Sequence, residues 1–98
     1  MDILEANESN YNKLTLNKEV LIDFYATWCG PCKMLGQELE KIKDKIQIIK
    51  INIDENMDLC KKYGIMSVPT LIHLKQDGNY NINVGYIPSE KILEWISK

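Results

Sequence analysis

Two thiols three positions apart, Cys29 and Cys32, are the residues of this chain best fitted to chemistry. Cysteines separated by two residues can close a small disulfide ring or open it again, so the pair reads as a dithiol–disulfide redox site. The flanking residues say where the pair sits. Val20-Leu21-Ile22-Asp23-Phe24-Tyr25 is a short apolar run of strand type, and Leu35, Leu39, Ile42 and Ile46 follow on one helical face. Pro31 falls in the first turn of that helix, where a missing N–H costs nothing. The thiolate is the nucleophile in such chemistry, and a helix N-terminus stabilises an anion with its unpaired N–H groups and dipole. Cys29 is therefore placed to attack, and Cys32, one turn further in, to act second.

Composition narrows the alternatives. A chain of 98 residues predicts one domain, 1–98, long enough for a single core. A net charge of −2 gives no electrostatic case for nucleic acid or an anionic membrane. All twelve basic residues are lysines, which argues against a bidentate phosphate or carboxylate clamp. No apolar run approaches the roughly 20 residues of a membrane span. Met1-Asp2-Ile3-Leu4-Glu5 lacks a basic segment and a long apolar stretch, so it does not read as a secretory signal. A cytoplasmic location follows by default, with a mature secreted form as the alternative. Three cysteines do not make a disulfide scaffold. Cys60 and His73 are not at ligand spacing from the Cys29–Cys32 pair, so no metal is expected.

The elements that must position the thiols alternate along the chain. Ile3-Leu4 starts a short strand, Asn7 is a candidate cap for a helix over Glu8–Leu14, and Asn17-Lys18 is a turn. Val20–Tyr25, apolar except for Asp23, reads as a central strand covered on both faces. A helix over Pro31–Lys45 follows, with Glu38, Lys41 and Asp44 on a solvated face. The β-branched run Ile46–Ile53 is a strand, and Met57–Tyr63 a helix closed by Gly64. Thr70–Leu74 is a strand, Asp77-Gly78 a hairpin turn, and Tyr80, Ile82 and Val84 alternate with asparagines as in a strand with one wet face. Ser89 caps a last helix over Glu90–Ile96 that buries Ile92, Leu93 and Ile96. The alternation predicts an α/β fold with parallel pairing and an antiparallel final hairpin.

Trp28-Cys29-Gly30-Pro31-Cys32-Lys33 resembles the active site of the thioredoxin family. The similarity runs from about Val20 to the C-terminus and includes Lys50–Asp54, Lys62-Tyr63-Gly64-Ile65, Val68-Pro69-Thr70 and Val84-Gly85; the first nineteen residues resemble the family only weakly. The resemblance implies the thioredoxin fold, a central five-stranded mixed sheet with helices on both faces. It implies that Asp23 lies beneath Cys32 and assists its proton loss, as an unpaired carboxylate inside an apolar strand would otherwise be costly. Lys50 is then either the partner of Asp23 or a strand lysine with a buried stem. It further implies a cis Val68–Pro69 bond, where sequence alone predicts trans, and a substrate-docking patch of Trp28, Gly30, Pro31, Val68, Pro69 and Gly85. The family usually carries a proline where this chain has Gln37, so the helix is expected to be straighter. Cys60 reads as a buried inert thiol, and His73 as a surface or packing residue.

The activity so implied is that of a general protein-disulfide reductase, a thiol–disulfide oxidoreductase without bound cofactor. Its partners would be disulfide-containing substrate proteins and a thioredoxin reductase as electron donor, with the chain itself a monomer. Gly30-Pro31 matches the reducing members, since oxidants and isomerases usually carry a histidine before the second cysteine. A binding module that uses only the fold is the competing class, and a Cys29→Ser, Cys32→Ser variant separates the two.

Overall fold

A computed structural model describes the whole chain, residues 1–98. The order is β1 (Leu4–Ala6), α1 (Tyr11–Thr15), β2 (Val20–Tyr25), α2 (Gly30–Glu40), β3 (Gln47–Asn52), α3 (Met57–Tyr63), β4 (Thr70–Leu74), β5 (Tyr80–Val84) and α4 (Ser89–Ile96). The strands form one mixed sheet in the order β1-β3-β2-β4-β5, with β2 in the centre. β1 and β2 run parallel to β3, whereas β2–β4 and β4–β5 are antiparallel.

Period-two alternation in β2 divides the interior. Val20, Ile22 and Phe24 join Ile49, Ile51, Leu59, Tyr63 and Ile72 on the face covered by α1 and α3. Leu21 joins Leu35, Leu39, Ile48, Leu71 and Ile92 on the face covered by α2 and α4. By the same alternation Asp23 and Tyr25 point to the α2 side.

Several boundaries differ from the sequence expectation. β4 runs against β2 although a helix precedes it. Seven residues of α3 span about 10 Å, half the roughly 20 Å of a six-residue strand, so the chain re-enters the sheet near the end it left. α1 begins only at Tyr11, but Asn7 makes the bonds expected of a cap over the turn that leads into it: its Oδ1 accepts the N–H groups of Ser9 (2.9 Å) and Asn10 (3.0 Å), and its carbonyl accepts that of Tyr11 (2.9 Å). α2 ends at Glu40 rather than Lys45. Lys41, Ile42 and Lys45 donate to carbonyls three residues back, a tighter winding than the α-helix, yet Ile42 and Ile46 stay buried. The helix is continuous through Gln37.

Two surface expectations also change. Glu38 is not simply solvated: its Oε1 accepts the backbone N–H of Ser89 at 2.8 Å, and so caps α4 from α2. Ser89 is the first helical residue and makes no side-chain cap. On β5 the apolar residues Tyr80, Ile82 and Val84 share the α1/α3 face with Leu74 and Ile72, yet all three stay exposed; Tyr80 alone reaches α3, edge-on to Tyr63 at a ring distance of 4.9 Å.

Candidate active site

Cys29 is the N-cap of α2, with Gly30 and Pro31 in the first turn. Its extended backbone (φ −99°, ψ 113°) turns the chain from the loop into the helix. The Cys29 sulfur accepts the backbone N–H of Cys32 at 3.2 Å, one of the helix donors that would otherwise lack a partner. Cys29 and Cys32 are joined in a disulfide with their Cα atoms 5.3 Å apart. Both are nearly covered, at 6% and 3% exposure, so burial hardly distinguishes them; their places in the helix do.

Ala26 clusters with Cys29 and Cys32, and Tyr25, Ile53 and Val68 pack against that cluster. Val68–Pro69 is a cis peptide bond. The Pro69 carbonyl accepts the N–H of Gly85 at 2.8 Å, which ties the loop before β4 to the end of β5. Gly85 has φ +97°, a backbone conformation that suits glycine. Trp28 is 68% exposed and its Nε1 donates to Asp54 Oδ2 at 2.9 Å, fixing the active-site loop to the chain after β3.

Beside Trp28 runs an apolar groove of about 690 Å³, with Met57, Ile65, Met66 and Val68 in its walls. Trp28 and Val68 of the expected patch line it. Gly30, Pro31, Pro69 and Gly85 do not. Cys60 also faces this groove and is half-buried rather than buried, its thiol pushed up by desolvation.

Asp23 is fully buried, and neither carboxyl oxygen has a hydrogen-bond partner. Burial pushes its carboxyl up to about 7, against the opposing pull of Lys50. Lys50 lies opposite Asp23 in the β2–β3 register, its Nζ 4.0 Å from Asp23 Oδ2. The stem is largely covered and the ammonium sits 4.6 Å from the centre of the Tyr25 ring. Partnership with Asp23 and a covered stem thus hold together. A cleft of about 270 Å³, lined by Tyr25, Ala26, Thr27, Cys32, Lys33 and Lys50, joins the second cysteine to the lysine. Gly36 of α2 lies above Lys50: a Cβ there would be 3.7 Å from Nζ.

The sequence alone gives no role in the site to Tyr25, Asp54 or Gly36. Strand alternation could have placed Tyr25 beside Asp23. Nothing local announces the Trp28–Asp54 bond. His73 is buried, with Nε2 2.6 Å from Glu19 Oε2 and its ring edge-on to Trp95, a packing residue remote from the sulfurs.

A disulfide at the N-terminus of a helix thus stands next to a cis-proline loop, and a cleft leads from its second cysteine to the lysine that pairs with a buried carboxyl. The family model described as Thioredoxin matches residues 2–98. The chain belongs to the thioredoxin family. The match takes in residues 2–19 as well, beyond the Val20 boundary expected from motifs. Thioredoxin from Bacillus subtilis (strain 168) is 41% identical, with 100% of this chain and 98% of that protein covered. Thioredoxin from Rickettsia felis is 38% identical, with 93% and 92% covered. Among solved structures, chloroplastic thioredoxin z superposes with a TM-score of 0.85 at 27% identity, covering 99% of this chain and 93% of that one. Malassezia sympodialis thioredoxin gives 0.84 at 33% identity, covering 98% and 89%. The architecture is the thioredoxin fold, and the chain is a thiol–disulfide oxidoreductase, a disulfide reductase working through Cys29 and Cys32. No helix is long and apolar enough to cross a membrane.

Proposed function

We propose a division of labour within this reductase: Cys29 attacks, Cys32 resolves, and Asp23 takes the resolving proton. The observation that carries it is the position of the Cys29 sulfur at the N-cap of α2, where it accepts the Cys32 N–H. In the reduced protein the same donor and helix dipole would favour a thiolate at Cys29. That thiolate attacks one sulfur of a substrate disulfide. A Cys29–substrate disulfide forms and the first substrate thiolate leaves. Cys32 then gives its proton to the Asp23 carboxylate, directly or through water in the adjoining cleft, and attacks Cys29. The second substrate thiolate leaves and the Cys29–Cys32 disulfide closes, so two electrons have passed to the substrate. A carboxyl titrating near neutrality can accept and release that proton at working pH.

A thioredoxin reductase is the electron donor that the family likeness supports, with disulfide-containing proteins as substrates. Trp28, Gly30, Pro31, Val68, Pro69 and Gly85 would receive the substrate segment. Trp28 and Val68 offer the apolar groove, and the backbone before Pro69 would add to an extended chain. The protein would work as a monomer, as one domain over 1–98, in the cytoplasm, and a net charge of −2 gives it no attraction to nucleic acid or anionic lipid.

Trapping tests the assignment. Incubated with an insulin-type disulfide, Cys32→Ser should accumulate mixed disulfides through Cys29, because the resolving thiol is gone. Cys29→Ser should accumulate few. Equal trapping by the two variants would show that attacker and resolver are wrongly assigned.

A further inference from the structure

Lys50 stands between two carboxylates. Across the sheet, Glu5 of β1 is in register with Lys50 of β3, and Lys50 with Asp23 of β2. Lysine could turn either way along this row, yet it forms its ion pair with Asp23 and none with Glu5. Tyr25 accounts for the choice. It lies two residues beyond Asp23 on the same face, and its hydroxyl donates to Glu5 Oε2 at 2.7 Å. Since β3 separates β2 from β1, the Tyr25 side chain must reach across β3 to make that bond. The Lys50 ammonium rests over the ring, 4.6 Å from its centre, on the Asp23 side of the bond.

We propose that Tyr25 and Glu5 are positioning residues of the reductase: the Glu5-anchored Tyr25 ring holds the Lys50 ammonium against Asp23 and so sets the proton affinity of that buried carboxyl. The consequence for turnover rests on the reading of Asp23 as the acceptor of the Cys32 proton. The groups facing Asp23 are few. Lys50 and Glu5 share its row and Tyr25 lies on its own strand, while Cys32 of α2 lines the cleft beside Lys50. On β4 the opposite residue is Leu71, and His73 further along is tied to Glu19. Of the charged groups, Lys50 pulls the carboxyl down and Glu5 pushes it up.

Two variants separate position from charge. Tyr25→Phe keeps the ring but frees the Glu5 carboxylate, which then competes for Lys50 in register; the Asp23 titration should move up. Glu5→Gln keeps an acceptor for the Tyr25 hydroxyl and removes the negative charge; the titration should move down. Each shift should be about half a pH unit, the scale of a partly screened charge two strands away. The reading is the carboxyl-carbon NMR titration of Asp23 in the oxidised full-length protein, beside the pH–rate profile of disulfide reduction. Opposite shifts uphold the proposal. No shift, or two shifts of the same sign, overturns it. Should Tyr25→Phe fail to fold, Glu5→Ala compared with Glu5→Gln decides: both remove the charge but only alanine removes the acceptor of the Tyr25 hydroxyl, so a higher Asp23 titration in Glu5→Ala than in Glu5→Gln upholds the brace and equal titrations overturn it. If the titration moves and the rate profile does not, the brace stands and Asp23 is not the proton acceptor.

Discussion

Neighbouring residues of β2 meet opposite kinds of interior. Phe24 points into the α1/α3 face among isoleucines, with Tyr63 edge-on at a ring distance of 5.9 Å. The polar groups on that side are matched: the Tyr11 and Tyr63 hydroxyls bond each other, and Thr15 Oγ1 donates to the Tyr11 carbonyl. Asp23, one residue earlier, points into the α2/α4 face, and both of its oxygens lack a hydrogen bond. A satisfied polar group in a core holds structure together. An unsatisfied carboxyl is kept at a loss of stability, and it lies on the side where the sulfurs are. The comparison separates the two sides of one strand, matched packing on one face and an unpaired titratable carboxyl on the other.

The largest expected effect breaks the packing face. Phe24→Ala removes a wholly buried ring and should cost about 3–5 kcal/mol. No titrating group depends on it, so the loss should be the same across pH 4–8 in urea denaturation. A loss that varied with pH would mean that the two faces are coupled.

Asp23→Asn acts on the other face, with the opposite sign. The folded carboxyl is raised to about 7 from an ordinary 3.8, so the native state holds its proton longer than the unfolded chain. Stability of the parent is therefore fully present below about pH 4, falls as pH rises through about 7, and levels off above. The asparagine variant lacks that fall. Its stability relative to the parent should climb across the same window by roughly 4 kcal/mol, while disulfide exchange near neutrality slows. A flat difference across pH would contradict a raised carboxyl.

Much of this contrast is legible in the sequence. The apolar run of β2, the single acid within it and the Cys-x-x-Cys opening a helix each carry a local signal. Asp23 stands out because Leu21-Ile22 and Phe24-Tyr25 bracket it closely, where a charge is costly to bury. The register of a three-residue strand carries no such signal, so Glu5 could not be set beside Lys50. The reach of Glu38 to Ser89 is equally silent, because helix polarity patterns describe one helix at a time. The end of α2 is hidden for a different reason: Ile42 and Ile46 keep their apolar spacing although the winding tightens after Glu40. On β5, alternation described the strand correctly but not its surroundings, since no helix reaches far enough to cover Tyr80, Ile82 and Val84.

The smallest expected effect tests how tightly the chemical face is packed. Gly36 lies mid-helix in α2, where glycine is less favourable than alanine by about 0.5–1 kcal/mol through the freedom it loses on folding. Its φ is not in the left-handed region, so alanine meets no backbone strain. An added Cβ would touch only the Lys50 ammonium, at 3.7 Å, an ordinary contact distance at the end of a flexible side chain. Gly36→Ala should therefore stabilise the fold by about 0.5–1 kcal/mol, seen as a higher urea midpoint with an unchanged slope. The Asp23 titration should stay in place, because Lys50 need not move to admit a methyl group. If the variant is instead destabilised and the Asp23 titration shifts with it, the ammonium requires that space, and the packing above Lys50 is part of what holds it against the carboxyl.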